Sequence, residues 1–189
     1  IKMDLLALSK KYKEEPKNES LLVYGDSGTG KTRFAATVAN IPWIERVFWL
    51  DMENGIQTVL NMGLPDKSLQ KIIPFRMGDT RTDPYAYNTV QKMYSSTTAL
   101  SVCEEHSRIN CLACSKAKRP FQSFDMLSIT NMDVIVIDTG TALVDCVVNS
   151  LLKGQTYDTI LLIQEWGTVI NLIKPILQVI QNGRYGHTI

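Results

Sequence analysis

Short apolar runs alternate with amphipathic stretches along this chain. Residues 21–24 (Leu-Leu-Val-Tyr), 46–51 (Arg-Val-Phe-Trp-Leu-Asp) and 134–138 (Val-Ile-Val-Ile-Asp) are compact and nearly continuous in hydrophobicity. Runs of that kind fit strands of a parallel sheet buried on both faces. A fourth run, 71–76, contains Pro74, which cannot donate to a ladder, so it is expected at a sheet edge. Between these runs the period lengthens. Residues 33–40 and 55–62 read as helices, and Thr82-Asp83-Pro84 is a helix start that predicts a helix over 84–99. In that helix Tyr87, Val90, Met93 and Tyr94 recur at spacings of three and four, marking its core face. Helices are also expected over 142–152 and 159–181. Trp166 and Gly167 should interrupt the second after Glu165, with Trp166 packed in the core or, as the alternative, stacked on a base or sealing a subunit contact, and Pro175 should kink or divide it. Cys146 falls among core positions, and 186–189 reads as the start of one more strand.

Strands alternating with helices predict an α/β fold, a mostly parallel sheet flanked by helices, with ligands at the carboxyl ends of the strands. The chain of 189 residues divides into a mixed-charge arm, 1–19, and one core, 20–189, interrupted by a polar insertion at 101–120. No internal repeat is visible. Starting at Ile1 and stopping at what looks like an opening strand, the sequence reads as part of a longer protein.

Composition narrows the picture only slightly. The hydrophobic fraction of 44 % and charged fraction of 21 % are those of an ordinary globular domain, and no apolar stretch approaches the ~20 residues of a membrane span. With no signal-peptide pattern in 1–19, a cytoplasmic protein is expected. A net charge of +1 gives no global footprint for nucleic acid, so any such contact would need a local patch.

The strongest chemical signal follows the first apolar run. Gly25-Asp26-Ser27-Gly28-Thr29-Gly30-Lys31-Thr32 is a complete GxxxxGKT phosphate-binding loop, placed between a predicted strand and a predicted helix. Glycines let the backbone curl until its N–H groups face an anion. Lys31 would reach the β and γ oxygens of a nucleoside triphosphate, and the Thr32 hydroxyl would coordinate Mg²⁺. Asp138 ends an apolar strand as a Walker B aspartate does and is expected to hold the Mg²⁺ hydration shell; the alternative is a cap for the next helix through Thr139 or Gly140. Turnover also needs a group that orients and deprotonates water. Glu53, two residues past the end of the second strand, is the first candidate and Asp51 the competitor, and either acid could instead cap the helix that follows. Thr139 stands where many AAA-type ATPases carry a glutamate, which favours Glu53.

The phosphate loop, the segment Phe48-Trp49-Leu50-Asp51-Met52-Glu53-Asn54-Gly55 and the strand 134–138 together resemble the RecA-like P-loop ATPase core, and more narrowly phage-encoded RecA-like recombinase and single-strand annealing ATPases. The resemblance implies a RecA-like core over 20–189, with Lys31 on phosphate, Thr32 and Asp138 on Mg²⁺, and Glu53 activating water. It further implies ATP-dependent action on single-stranded DNA in recombination or annealing, homo-oligomeric rings or filaments, a single-strand binding protein as a further partner, and the host cytoplasm as location. A nucleotide-gated DNA-binding protein with negligible turnover, or a helicase or packaging motor, remain alternatives. No arginine finger can be singled out among Arg76, Arg81 and Arg184.

One motif lies outside this scheme. Cys103, His106, Cys111 and Cys114 form Cys-x₂-His-x₄-Cys-x₂-Cys, the ligand types and separations of a structural zinc site. A reducing compartment disfavours a disulfide, and a redox Cys-x-x-Cys would leave Cys103 and His106 without a role. Four protein ligands close the shell, so the zinc is expected to hold the insertion together and not to catalyse. An inserted zinc module also accords with the resemblance. Lys116, Lys118 and Arg119 follow directly; they fit either a DNA backbone or a solvated loop that offsets the thiolates.

Overall fold

The structure, a computed structural model, describes residues 18–182 and 186–189. Most of the arm expected at 1–19, and Arg184, lie outside the described residues.

Among the described residues, four parallel strands make the central sheet: β1 (Arg46–Asp51), β2 (Ile72–Arg76), β5 (Asp133–Asp138) and β6 (His187–Thr188), in the order β2-β1-β5-β6. Side chains alternate across a strand, so β1 feeds two cores. Phe48 and Leu50 face one side, with Phe75, Ile135 and the helices α4 (Ala86–Ser95), α6 (Gly140–Leu151) and α7 (Ile163–Gln181). Val47 and Trp49 face the other, with Val134, Val136 and the helices α1 (Lys31–Ala36) and α2 (Ile56–Leu60), α1 being prolonged by a 3₁₀ turn over Thr37–Asn40. A short α3 (Asp66–Leu69) precedes β2. Pro74 sits in β2, at the edge, as its missing N–H requires.

A separate antiparallel hairpin, β3 (Leu100–Cys103) and β4 (Phe121–Phe124), encloses the small helix α5 (Leu112–Lys116). It is anchored by aromatic packing: Phe124 meets Phe48 and Phe75 edge-on at centroid distances of 5.4 and 5.7 Å. Each such pair adds about 0.5–1.5 kcal/mol beyond its buried area.

Three sequence expectations change. The run 21–24 forms no strand; only Ser20 bridges Thr188, and Leu22 and Tyr24 are 83 % and 88 % exposed. Its partner β6 is two residues long, which leaves Leu22–Tyr24 without a ladder to bury them. Helix α7 runs through Pro175 undivided, so the expected division does not occur. Pro175 and Asn171, whose carbonyl loses its helical donor, both face solvent, where water can take the bond. The same helix begins at Ile163, so Trp166 and Gly167 lie inside its first turns, and Trp166 is 46 % exposed instead of packed in the core. The reading of α4 holds, with Tyr87, Val90, Met93 and Tyr94 all buried, and Cys146 lies in the same core. Among the described residues, no helix is long and apolar enough to cross a membrane.

Candidate functional site

Parallel pairing brings the acidic ends of two strands together: Asp51 and Asp138 are register partners at the carboxyl ends of β1 and β5. The phosphate loop approaches the same end. Gly28 and Gly30 adopt φ of 78° and 91°, a region costly for any residue with a Cβ, and Gly30 leads directly into α1. Lys31 folds back into the loop, its Nζ donating to the carbonyls of Gly25 and Asp26 at 2.8 Å each. Thr29 Oγ1 closes the turn on the Asp26 carbonyl at 2.8 Å, while Ser27 is exposed. Thr32, on the first turn of α1, donates its hydroxyl to Asp138 Oδ1 at 3.2 Å.

The other oxygen of Asp138, Oδ2, is buried without a well-formed hydrogen bond among the described residues, and so is the indole N–H of Trp49, the donor besides Thr32 that acts on this carboxylate. Buried carboxylate oxygens are almost always satisfied, so this one marks a place prepared for something else. Burial raises the Asp138 carboxyl above its usual range; the Thr32 hydroxyl and, less strongly, the Trp49 indole N–H oppose the shift, and the charges of Asp51 and Glu53 add to it. A divalent cation with hard oxygen preference suits this donor set, and Mg²⁺ commonly binds through one carboxylate and a hydroxyl with waters between. Asp138 does not cap α6. The Thr139 hydroxyl does, accepting from Ala142 N at 3.3 Å.

The two other acids diverge. Asp51 is 2 % exposed and caps α2, accepting from Gly55 N at 2.7 Å and Ile56 N at 3.2 Å. Glu53 stands in the same turn, exposed to solvent and within electrostatic range of Asp138. Sequence reasoning named Gly55 within the segment 48–55 but gave it no role, whereas the structure lays it directly against Asp138; the Asn54-Gly55 dipeptide was the available turn signal. A groove of 570 Å³ starts at Lys31, Asp138 and Thr139 and runs between Leu21–Val23 and the apolar side chains Ile173 and Leu177 of α7. Of the arginines, Arg81 is engaged within the chain, its NH1 donating to the carbonyls of Thr156 and Thr159. Arg76 is exposed at the end of β2.

Some distance along the chain the hairpin gathers the second constellation. The ligand atoms of Cys103, His106, Cys111 and Cys114 all lie within 4.8 Å of one another. His106 Nδ1 is 3.9 Å from the sulfurs of Cys103 and Cys111 and 3.2 Å from that of Cys114. Zinc bonds of ~2.3 and ~2.1 Å at a tetrahedral angle would separate sulfur from nitrogen by roughly 3.6 Å, so the four residues fit that ion. The backbone N–H of Arg108 donates to Cys103 Sγ at 3.4 Å, and His106 Nε2 faces Glu105 at 4.0 Å, an outer carboxylate of the kind that fixes a ligating imidazole. The backbone N–H of Cys114 leads in lowering the Cys111 thiol to about 7, while burial pushes Cys114 up to about 12. Lys116, Lys118 and Arg119 are exposed beside the cluster, and Arg119 pairs with Glu105.

No curated protein and no solved structure matches the chain. A family model described as AAA domain matches residues 17–189, a span that includes the phosphate loop, the Asp138 strand and the Cys/His hairpin. With most of its length in that match and a parallel sheet flanked by helices around a phosphate loop, the chain belongs to the AAA domain family of P-loop ATPases.

Proposed function

We propose that this protein is a Mg²⁺-dependent ATPase acting on single-stranded DNA in phage-type recombination or strand annealing. The observation that carries the ATPase part is the meeting of Lys31, Thr32 and the unpartnered Asp138 Oδ2 at one end of the sheet. Lys31 exchanges its two loop carbonyls for β and γ phosphate oxygens, and loop N–H groups bind the remaining charge. Thr32 and Asp138 hold Mg²⁺, which when bound neutralises charge on the phosphates. Glu53, exposed in the turn and within electrostatic range of Asp138, orients a water and takes its proton; Asp51, sealed and occupied by two amides, is unsuited to that task.

The DNA substrate, assembly into rings or filaments, partnership with a single-strand binding protein and a cytoplasmic setting rest on the resemblance to RecA-like phage ATPases. In this reading 20–189 is the ATPase core, 101–120 a zinc-held insertion through Cys103, His106, Cys111 and Cys114, and 1–19 an arm. Phosphate release with Mg²⁺-ATP, with and without single-stranded DNA, tests it. Glu53→Gln should lower turnover by about 10²–10⁴-fold while ATP binding persists. Unchanged phosphate release would instead favour a nucleotide-gated binding protein, and strand separation or packaging activity a different motor on the same core.

A further inference from the structure

The turn joining β1 to α2 is organised around one buried carboxylate. Asp51 ends β1 and reaches forward along its own chain, one oxygen on Gly55 N and the other on Ile56 N. Asn54, with φ of 61°, supplies the left-handed step that reverses the chain, a conformation asparagine tolerates better than most residues. The reversal puts Glu53 on the outside of the turn and Gly55 on the inside. Gly55 packs so tightly that a Cβ there would collide with Asp138 Oδ2 and approach Thr32 Cγ2 to 3.3 Å. Two backbone bonds brace the arrangement: Met52 N donates to the Asp138 carbonyl at 2.9 Å, and Met77 N to the Asp51 carbonyl at 2.8 Å.

We infer that Asp51 is a positioning residue: by gripping the Gly55 and Ile56 amides it seats the 52–55 turn against Asp138 and holds Glu53 in that turn, within electrostatic range of Asp138. The inference rests on the ATPase reading above and adds to it a division of labour between two acids two residues apart. Asp51 acts through backbone donors, and Glu53 is left free of them. Gly55 is the second half of the device, because only a residue without a side chain lets the turn lie close to Asp138.

Asp51→Ala, Asp51→Asn and Gly55→Ala test this with two readouts on the full chain. In steady-state ATP hydrolysis, Asp51→Ala should lose about ten- to a hundredfold in kcat, the effect of removing charge-assisted bonds, with KM for ATP changed far less. Asp51→Asn keeps one acceptor and should recover an intermediate kcat. Gly55→Ala should weaken Mg²⁺-dependent nucleotide binding as well. In amide hydrogen exchange without nucleotide, Gly55 and Ile56 should exchange faster in Asp51→Ala while the β1 amides stay protected. A wild-type kcat in Asp51→Ala, no recovery in Asp51→Asn, or unchanged exchange at Gly55 and Ile56 would overturn the inference. If the wild-type protein proves inert toward ATP, the proposed function falls, and the exchange measurement still decides whether Asp51 holds the turn.

Discussion

Thr32 and Asp138, 106 positions apart in the chain, meet through a 3.2 Å hydrogen bond that uses one carboxylate oxygen and leaves the other buried and unpaired. The bond joins the first turn of α1 to the end of β5, so the phosphate loop and the acidic strand end are registered to each other before any ligand arrives.

An unpaired buried oxygen is a cost to the ligand-free fold. Asp138→Asn removes the charge that burial and the neighbouring acids disfavour, so the ligand-free variant should unfold at a higher temperature, by about 1 kcal/mol in stability. The same variant should lose Mg²⁺-dependent hydrolysis. Calorimetry of the two proteins without nucleotide, alongside phosphate release with it, checks both halves. A less stable ligand-free Asp138→Asn would show that the oxygen has a partner in solution.

The Cys/His hairpin should be metal-dependent. Metal analysis of protein purified without added zinc should give one ion per chain, and Cys111→Ser should lower that stoichiometry. Strands of four residues bury too little to stand alone, so chelation should melt β3, α5 and β4 first. The effect should reach the core through Arg108, whose guanidinium lies 3.9 Å from the Tyr85 ring centroid and pairs with Asp83 just ahead of α4. Exchange of the α4 amides before and after chelation follows that transmission.

The phosphate loop, the buried strands β1 and β5 and the edge position of β2 were legible in the sequence, because each is encoded in residue type over a few contiguous positions. Long-range consequences were harder to read. The exposure of Leu22 and Tyr24 depends on how far β6 (His187–Thr188) extends at the other end of the chain, and nothing local to 21–24 carries that information. The β3–β4 hairpin escaped a strand reading because Leu-Ser-Val-Cys and Phe-Gln-Ser-Phe are brief and only partly apolar. The cap made by Asp51 was one of two options in the sequence. It took the geometry of Gly55 and Ile56 to choose between a cap and a base.

At the opposite end of the same strands, Asp133 should set the acid limit of stability. Its carboxylate, 1 % exposed, accepts two bonds of 2.7 Å from Arg46 and two more from Thr130 N and Oγ1 at 2.8 and 3.1 Å. Burial alone would raise this carboxyl, but the guanidinium and the Thr130 donors outweigh it and hold the group below its ordinary value. A depressed carboxyl stabilises the fold fully above the unfolded-state value of about 4, and the contribution disappears as pH falls from there through the folded-state value. Because the Arg46 side chain is 38 % exposed and screened, the contribution is about 1–2 kcal/mol. Asp133→Asn should therefore be less stable than wild type at neutral pH by that amount, with the gap closing below about pH 4. Urea unfolding of both proteins across that range measures the gap, and a difference independent of pH would locate the effect in packing and not in the ion pair.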